Sequence, residues 1–240
     1  MHSTEHLGPR KIIGFLDGSI FITETVILAV AIAAVMIVFA LLSTRKLKYE
    51  PKGLQLIAVI IVEFVYNLTA KTMGEKNIKY APYIGTLFIF LIIGNSLGFI
   101  GFRPVTADIN TAFALSIITF MMIQAASIKN RGIGGHIKHY GEPYPFMYPI
   151  KILEDVAFPL SLAFRLFGNI TGGMIIMALA FNGLGAISSK IGTSIPILQF
   201  LLPLPLNLFF DAFHALLQAF IFTMLTMAFV SMATIGQDNE

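Results

Sequence analysis

The sequence predicts an all-α, polytopic membrane protein. Three observations carry that prediction. Hydrophobic residues make up 56% of the 240-residue chain, and the mean hydropathy is +0.81. Charged residues make up only 12%, about half the share of an average soluble domain. The apolar residues also fall in runs of the ~20 residues that a membrane-crossing helix needs. The expected architecture is five transmembrane helices plus one interfacial amphipathic helix. The last two helices are expected to be long and strongly tilted, and residues 1–240 form a single membrane domain.

Composition also excludes chemistry. The chain has no cysteine, so disulfides, thiolate catalysis and cysteine-ligated metals are ruled out. A net charge of +3 is small and gives no reason to expect a nucleic-acid partner. Glu5 and Asp17 precede the first apolar run, and that run is long enough to span, so the N-terminus does not read as a cleavable signal.

In chain order, residues 1–19 read as an external arm and 20–43 as the first span. Residues 53–75 differ. Glu63, Asn67 and Lys71 recur at i, i+4 and i+8, one helical face, which suits an amphipathic helix lying in the membrane surface. The alternative is a spanning helix with a polar face. Pro82 opens the next apolar helix, as prolines do near an N-terminus. Residues 81–128 hold two spans, the second carrying Gln124. Residues 129–149, rich in glycine and proline, read as the main loop. The apolar stretches 150–186 and 194–235 exceed one perpendicular span, so 150–235 is expected to be a tilted helical hairpin. Pro159, Pro196, Pro203 and Pro205 are places for bends or helix starts.

Lysine and arginine orient the chain. The connections 44–80 and 129–151 hold seven and four of them, against four on the alternate side. That bias predicts a cytoplasmic C-terminus and, with five spans, an external N-terminus.

The polar residues inside the apolar segments are the candidate site. Glu154, Ser161, Arg165, Asn169 and Gly172 share one face of the fifth span. Glu154 lies three turns, ~16 Å, from Arg165, too far for an ion pair. An arginine keeps its charge, and at mid-bilayer it costs at least ~3 kcal/mol on insertion scales. Asp211, His214 and Gln218 follow at i, i+3 and i+7 on the last helix and suit a hydrated path or proton relay. Simpler readings stay open: an Arg165–Asp211 pair inside a bundle, or a hydrogen-bonded Asp211–His214 pair. Gly168 and Gly172 match a small-xxx-small packing motif. No metal site is expected, because His2, His6, His136 and His139 fall in extramembrane segments. Nothing around Ser161 forms a nucleophile elbow. No cofactor is expected.

At these residues the chain resembles the a subunit of the F-type ATP synthase, the stator half of its membrane motor. The resemblance rests on Pro159-Leu160-Ser161-Leu162-Ala163-Phe164-Arg165-Leu166-Phe167-Gly168-Asn169. Leu217-Gln218-Ala219-Phe220-Ile221-Phe222 with Leu225-Thr226, and Asn95-Ser96-Leu97-Gly98, add to it. It implies partnership with a ring of c subunits, a b-subunit peripheral stalk and the remaining ATP synthase subunits, in a bacterial plasma membrane. It implies that Arg165 is the essential stator charge separating two half-channels for H⁺ or Na⁺. Asn169, Asp211, His214 and Gln218 would line the outer one, and Glu154, Asp155 and Ser161 the inner one. One departure stands out. Many relatives carry a glutamate two turns after the arginine, where this chain has Met174. The competing class is a secondary transporter with a midplane polar site. Against it, the chain shows no repeated halves and no matched pair of broken helices.

Overall fold

A computed structural model describes residues 11–15, 20–45, 47–100, 102–141, 144–190, 209 and 213–234. Among them the chain is helical apart from one small hairpin, in which β1 (Lys11–Phe15) pairs antiparallel with β2 (Ile20–Thr23). The helices are α1 (Glu24–Thr44), α2 (Leu54–Met73), α3 (Ala81–Ser96), α4 (Ile109–Tyr140), α5 (Tyr148–Lys190) and α6 (His214–Thr234). All six are long and apolar enough to cross a membrane, α3 together with the 3-10 turn before it. Length alone therefore does not separate five spans from six.

Three boundaries differ from the sequence reading. Ile20–Thr23 forms β2, so the first helix starts at Glu24. Isoleucine, phenylalanine and threonine suit a pleated strand as well as an apolar helix, and hydropathy does not distinguish the two. The second difference is larger. Helical structure runs on to Tyr140, through the stretch expected to be loop. Only Gly132 breaks it, with φ 70 and ψ 165, a backbone region that side chains with a Cβ rarely adopt. One glycine turns the chain, and the residues after it resume a helix. The third is the segment after Ser96, which tightens into a 3-10 turn, Leu97–Ile100, instead of extending α3.

Five helices, α2 to α6, supply the core. Leu87 and Leu91 of α3, Ala112 of α4, Leu162 and Leu166 of α5, and Ala219 and Phe222 of α6 form one buried cluster. A second joins Met73 of α2 and Ile84 of α3 to Ile123 and Ala126 of α4 and Met227 and Val230 of α6. α2 packs through Val65, Thr69 and Met73, which are buried. A Cβ on Gly85 of α3 would come within 3.0 Å of Val65 Cγ1, so glycine permits this close approach. Glu63, Asn67 and Lys71 of α2 are all exposed, on the side away from the bundle.

Buried hydroxyls are satisfied locally. Thr69, Thr223 and Thr226 each donate to the carbonyl four residues back, at 2.8, 2.8 and 2.9 Å. A threonine can thus sit in an apolar interior without a second helix as partner. Between helices, the hydroxyls of Tyr83 and Thr119 join α3 to α4 at 2.9 Å, and Ser116 Oγ donates to the carbonyl of Pro159, joining α4 to α5.

The start of α4 is anchored by a buried carboxyl group. Asp108 is 1% exposed. Its Oδ1 accepts the backbone N–H of Asn110 at 3.0 Å, which caps the helix. Its Oδ2 accepts the hydroxyls of Thr25 at 2.6 Å and Thr23 at 3.2 Å. The hairpin, α1 and α4 are tied together at this one side chain.

Candidate functional site

The candidate residues fall into three places. Arg165 lies on α5 at the border between its buried and open sides. Leu162, Ala163 and Leu166 around it are buried, while Ser161, Phe164 and Gly168 are exposed and Arg165 itself is half-buried. No hydrogen bond or ion pair joins Arg165 to another described residue.

One turn further on, Asn169 Nδ2 donates to Gln218 Oε1 at 2.7 Å, a direct strap between α5 and α6. Gln218 is 2% exposed, and its Nε2 is buried without a partner among the described residues. A buried donor without an acceptor is costly, so this position is suited to an ordered water or to a group brought by another subunit. The structure thus brings Asn169 and Gln218 together. Asp211 lies outside the described residues, as does the side chain of His214. The expected bends at Pro196, Pro203 and Pro205, and the far end of the expected hairpin, also lie outside them.

Among the described residues, Gly168 and Gly172 pack against no other helix: a Cβ on either would have no neighbour within 4 Å.

The third place is a cavity of about 210 Å³ where α4, α5 and α6 meet. From α4 it is lined by Gln124, Ser127, Arg131, His136 and Tyr140, and from α5 by Lys151, Glu154 and Asp155. α6 contributes Phe229, Met232 and Ala233. Gln124 Nε2 donates to Asp155 Oδ2 at 2.8 Å, and the Tyr140 hydroxyl donates to the same oxygen. Ser127 Oγ and His136 Nδ1 are bonded at 2.9 Å, and the His136 and Tyr140 rings meet edge to face. Burial first, then the hydrogen bond and charge of Asp155, push the Tyr140 hydroxyl up to about 12. Of the three expected inner residues, Glu154 and Asp155 reach this cavity, whereas Ser161 sits on the open side of α5. Tyr140, Gln124 and His136 were not among the expected site residues. The signal for them is three-dimensional, because Gly132 returns the tail of α4 over the cavity.

The comparisons with known proteins decide the family. Residues 25–231 match the family model described as ATP synthase A chain. This chain belongs to that family. It is 33% identical over 227 residues to ATP synthase subunit a of Moorella thermoacetica, covering 94% of this chain and 96% of that one. It is 36% identical over 204 residues to ATP synthase subunit a 3 of Pelobacter propionicus, covering 83% and 82%. A third relative, from Propionigenium modestum, is named ATP synthase subunit a, sodium ion specific. It is 33% identical over 225 residues, 87% of this chain and 73% of its own length. The secondary-transporter alternative finds no support among these relatives. Family membership makes the chain a multi-pass membrane component of a larger complex.

Proposed function

We propose that this chain is the ion-translocating stator of an ATP synthase, working against a ring of c subunits in a bacterial plasma membrane. A b-subunit peripheral stalk would hold it against rotation. The observation that carries the reading is Arg165, a partly exposed cation inside an apolar helix with no partner among the described residues. A chain keeps such a charge when something outside it is attracted to it. A carboxylate on each ring subunit is the complementary group. The fixed guanidinium draws it in its ionised form and blocks a direct leak.

Ions, H⁺ or Na⁺, would then reach the ring by two separate routes. The outer route is assigned to Asn169, Gln218, Asp211 and His214, and the Asn169–Gln218 strap supports it with an unpaired buried donor beside Arg165. The inner route is assigned to the cavity at Glu154 and Asp155, where the polar side chains of α4 and α5 offer partners for water. Ser161, on the open side of α5, belongs with the ring-facing surface near that route. Each charge that crosses delivers ~2.3 kcal/mol per 100 mV, which rotation passes to the other subunits. The N-terminus is assigned to the outside and the C-terminus to the cytoplasm. α2 is assigned to the interface, because exposed Glu63, Asn67 and Lys71 would otherwise face lipid.

The test replaces Arg165 in the complete complex. Arg165→Ala is expected to abolish ATP-driven ion pumping and ATP synthesis while the complex still assembles. Arg165→Lys should also fail badly, because an ammonium lacks the planar fork and loses its proton more readily when buried. Normal synthesis by either variant refutes the role.

A further inference from the structure

The inner cavity holds one carboxylate in an uneven way. Asp155 Oδ2 takes two donors, Gln124 Nε2 and the Tyr140 hydroxyl. Oδ1 takes none among the described residues, and Asp155 lines the cavity. The two donors come from opposite sides of the Gly132 break, Gln124 from the body of α4 and Tyr140 from its folded-back tail. The tail is held by the Ser127–His136 bond and by Tyr148, whose hydroxyl donates to the carbonyl of Ile137 at 3.0 Å. Several bonds therefore converge on the placing of one phenol. The cavity walls are largely apolar, with polar side chains of α4 and α5 set into them, and Arg131 Nε is buried there without a partner among the described residues, which fits an ordered water at the polar part of the site.

We propose, building on the inner-route reading above, that Tyr140 is a positioning residue of the ion pathway: with Gln124 it pins Oδ2 of Asp155 and turns Oδ1 to the cavity as the oxygen that takes and returns the ion. For a proton the step balances simply. Oδ1 accepts H⁺ from a cavity water, becomes a carboxyl O–H, and gives the proton to the next acceptor, regenerating the carboxylate. For sodium, the same oxygen is a hard ligand that the ion leaves unchanged. A tyrosine suits the holding task. Its hydroxyl stays protonated at physiological pH, with its titration pushed up to about 12, so it donates steadily and does not itself exchange. The charged and titratable groups facing Asp155 are Arg131, His136 and Tyr140 from α4 and Lys151 and Glu154 from α5; the α6 wall is apolar.

The experiment uses the assembled synthase in inverted membrane vesicles, whose outer face exposes the inner route to the bath. ATP-driven pumping, the amount of assembled complex and the pH profile are measured for Asp155→Asn, Tyr140→Phe and the double variant. Asp155→Asn is expected to slow flux about tenfold. Tyr140→Phe is expected to slow it by roughly three- to tenfold, the scale of one hydrogen bond to a charged group. Its pH profile should move, because a donor to the carboxylate is gone. The double variant should be no slower than Asp155→Asn, since both changes act through one group. Gln124→Leu, which removes the other donor, should move the profile in the same direction and serves if Tyr140→Phe assembles poorly. An effect seen as a pH gradient or as sodium uptake supports the proposal equally and names the ion.

Normal flux and an unmoved profile in Tyr140→Phe, beside a slow Asp155→Asn, overturn the positioning role and leave the inner route standing. Normal flux in Asp155→Asn overturns the inner route as well. Less complex with an unmoved profile in both Tyr140→Phe and Gln124→Leu shows a purely structural role and also rejects the proposal.

Discussion

Asp108 and Asp155 are both aspartates at contacts of α4, yet their surroundings differ at every point. Asp108 is 1% exposed, and both its oxygens are occupied, by the hydroxyls of Thr23 and Thr25 and the N–H of Asn110. Asp155 is half-buried, holds both its donors on one oxygen and borders a cavity. About 24 Å of helix separates the cap at Asp108 from Gln124. The difference shows how one residue type serves two ends. A carboxyl group with both oxygens committed fixes structure. One with an oxygen left without a donor beside a cavity is where the proposal above puts ion exchange.

The strongest way to break this comparison is Asp108→Ala. Two buried hydroxyls and a helix N–H would lose their acceptor together. The two hydroxyls can still bond each other, so about one is orphaned, at about 1–3 kcal/mol, and the lost cap adds about 1 kcal/mol. The expected outcome is a sharp fall in assembled complex, measured in membranes, with normal ATP-driven flux in whatever complex remains. Reduced flux per complex at normal assembly would place Asp108 in an ion route and erase the contrast.

A smaller effect is expected from Gly132→Ala. Its φ of 70 and ψ of 165 are tolerated by glycine, and a Cβ there costs on the order of 1–3 kcal/mol. Nothing lies within 4 Å of the added Cβ, so the cost is backbone strain alone and falls on the turn that places Tyr140. Complex should assemble in near-normal amount while its flux takes on the Tyr140→Phe pH profile. An unchanged profile would show that the tail reaches Asp155 without this turn.

The smallest effect is expected from Thr25→Val, which keeps shape and removes one of three donors to Asp108. A loss of about 1 kcal/mol is expected, seen as a lower thermal midpoint of the complex with flux unaltered. A loss as large as that of Asp108→Ala would show that Thr25 rather than the carboxyl group is the anchor.

The sequence exposed those parts of this arrangement that repeat locally. Helical runs, the outward face at Glu63, Asn67 and Lys71, and the shared helical face of Arg165 and Asn169 follow from hydropathy and from spacing within a helix; Asn169 and Gln218, on different helices, are put together by the family resemblance alone. What it concealed depends on distance or on single backbone angles. Thr23 and Thr25 lie more than eighty residues from Asp108, and nothing local signals that they meet. The glycines and prolines of 129–149 read as a loop, because composition does not reveal that one left-handed φ turns the chain and leaves the helix able to resume. Tyr140 was hidden by that error. Gly168 and Gly172 match a close-packing motif, and among the described residues neither meets a neighbour, since such a motif does not say which segment would pack there.

α5 has one more consequence. Its 43 residues make a rod about 64 Å long, some twice the ~30 Å of a bilayer core. Kept within such a slab, a straight rod of that length would travel about 55 Å sideways while descending through it. Helices packed side by side sit about 10 Å apart, so such a rod is wide enough to lie across several neighbours at once. Seen in plan, the two ends of α5 then differ in lateral address as well as in depth. A passenger that joined at one address and left at the other would have been carried sideways as well as through the slab, and such a displacement about a fixed axis is a rotation.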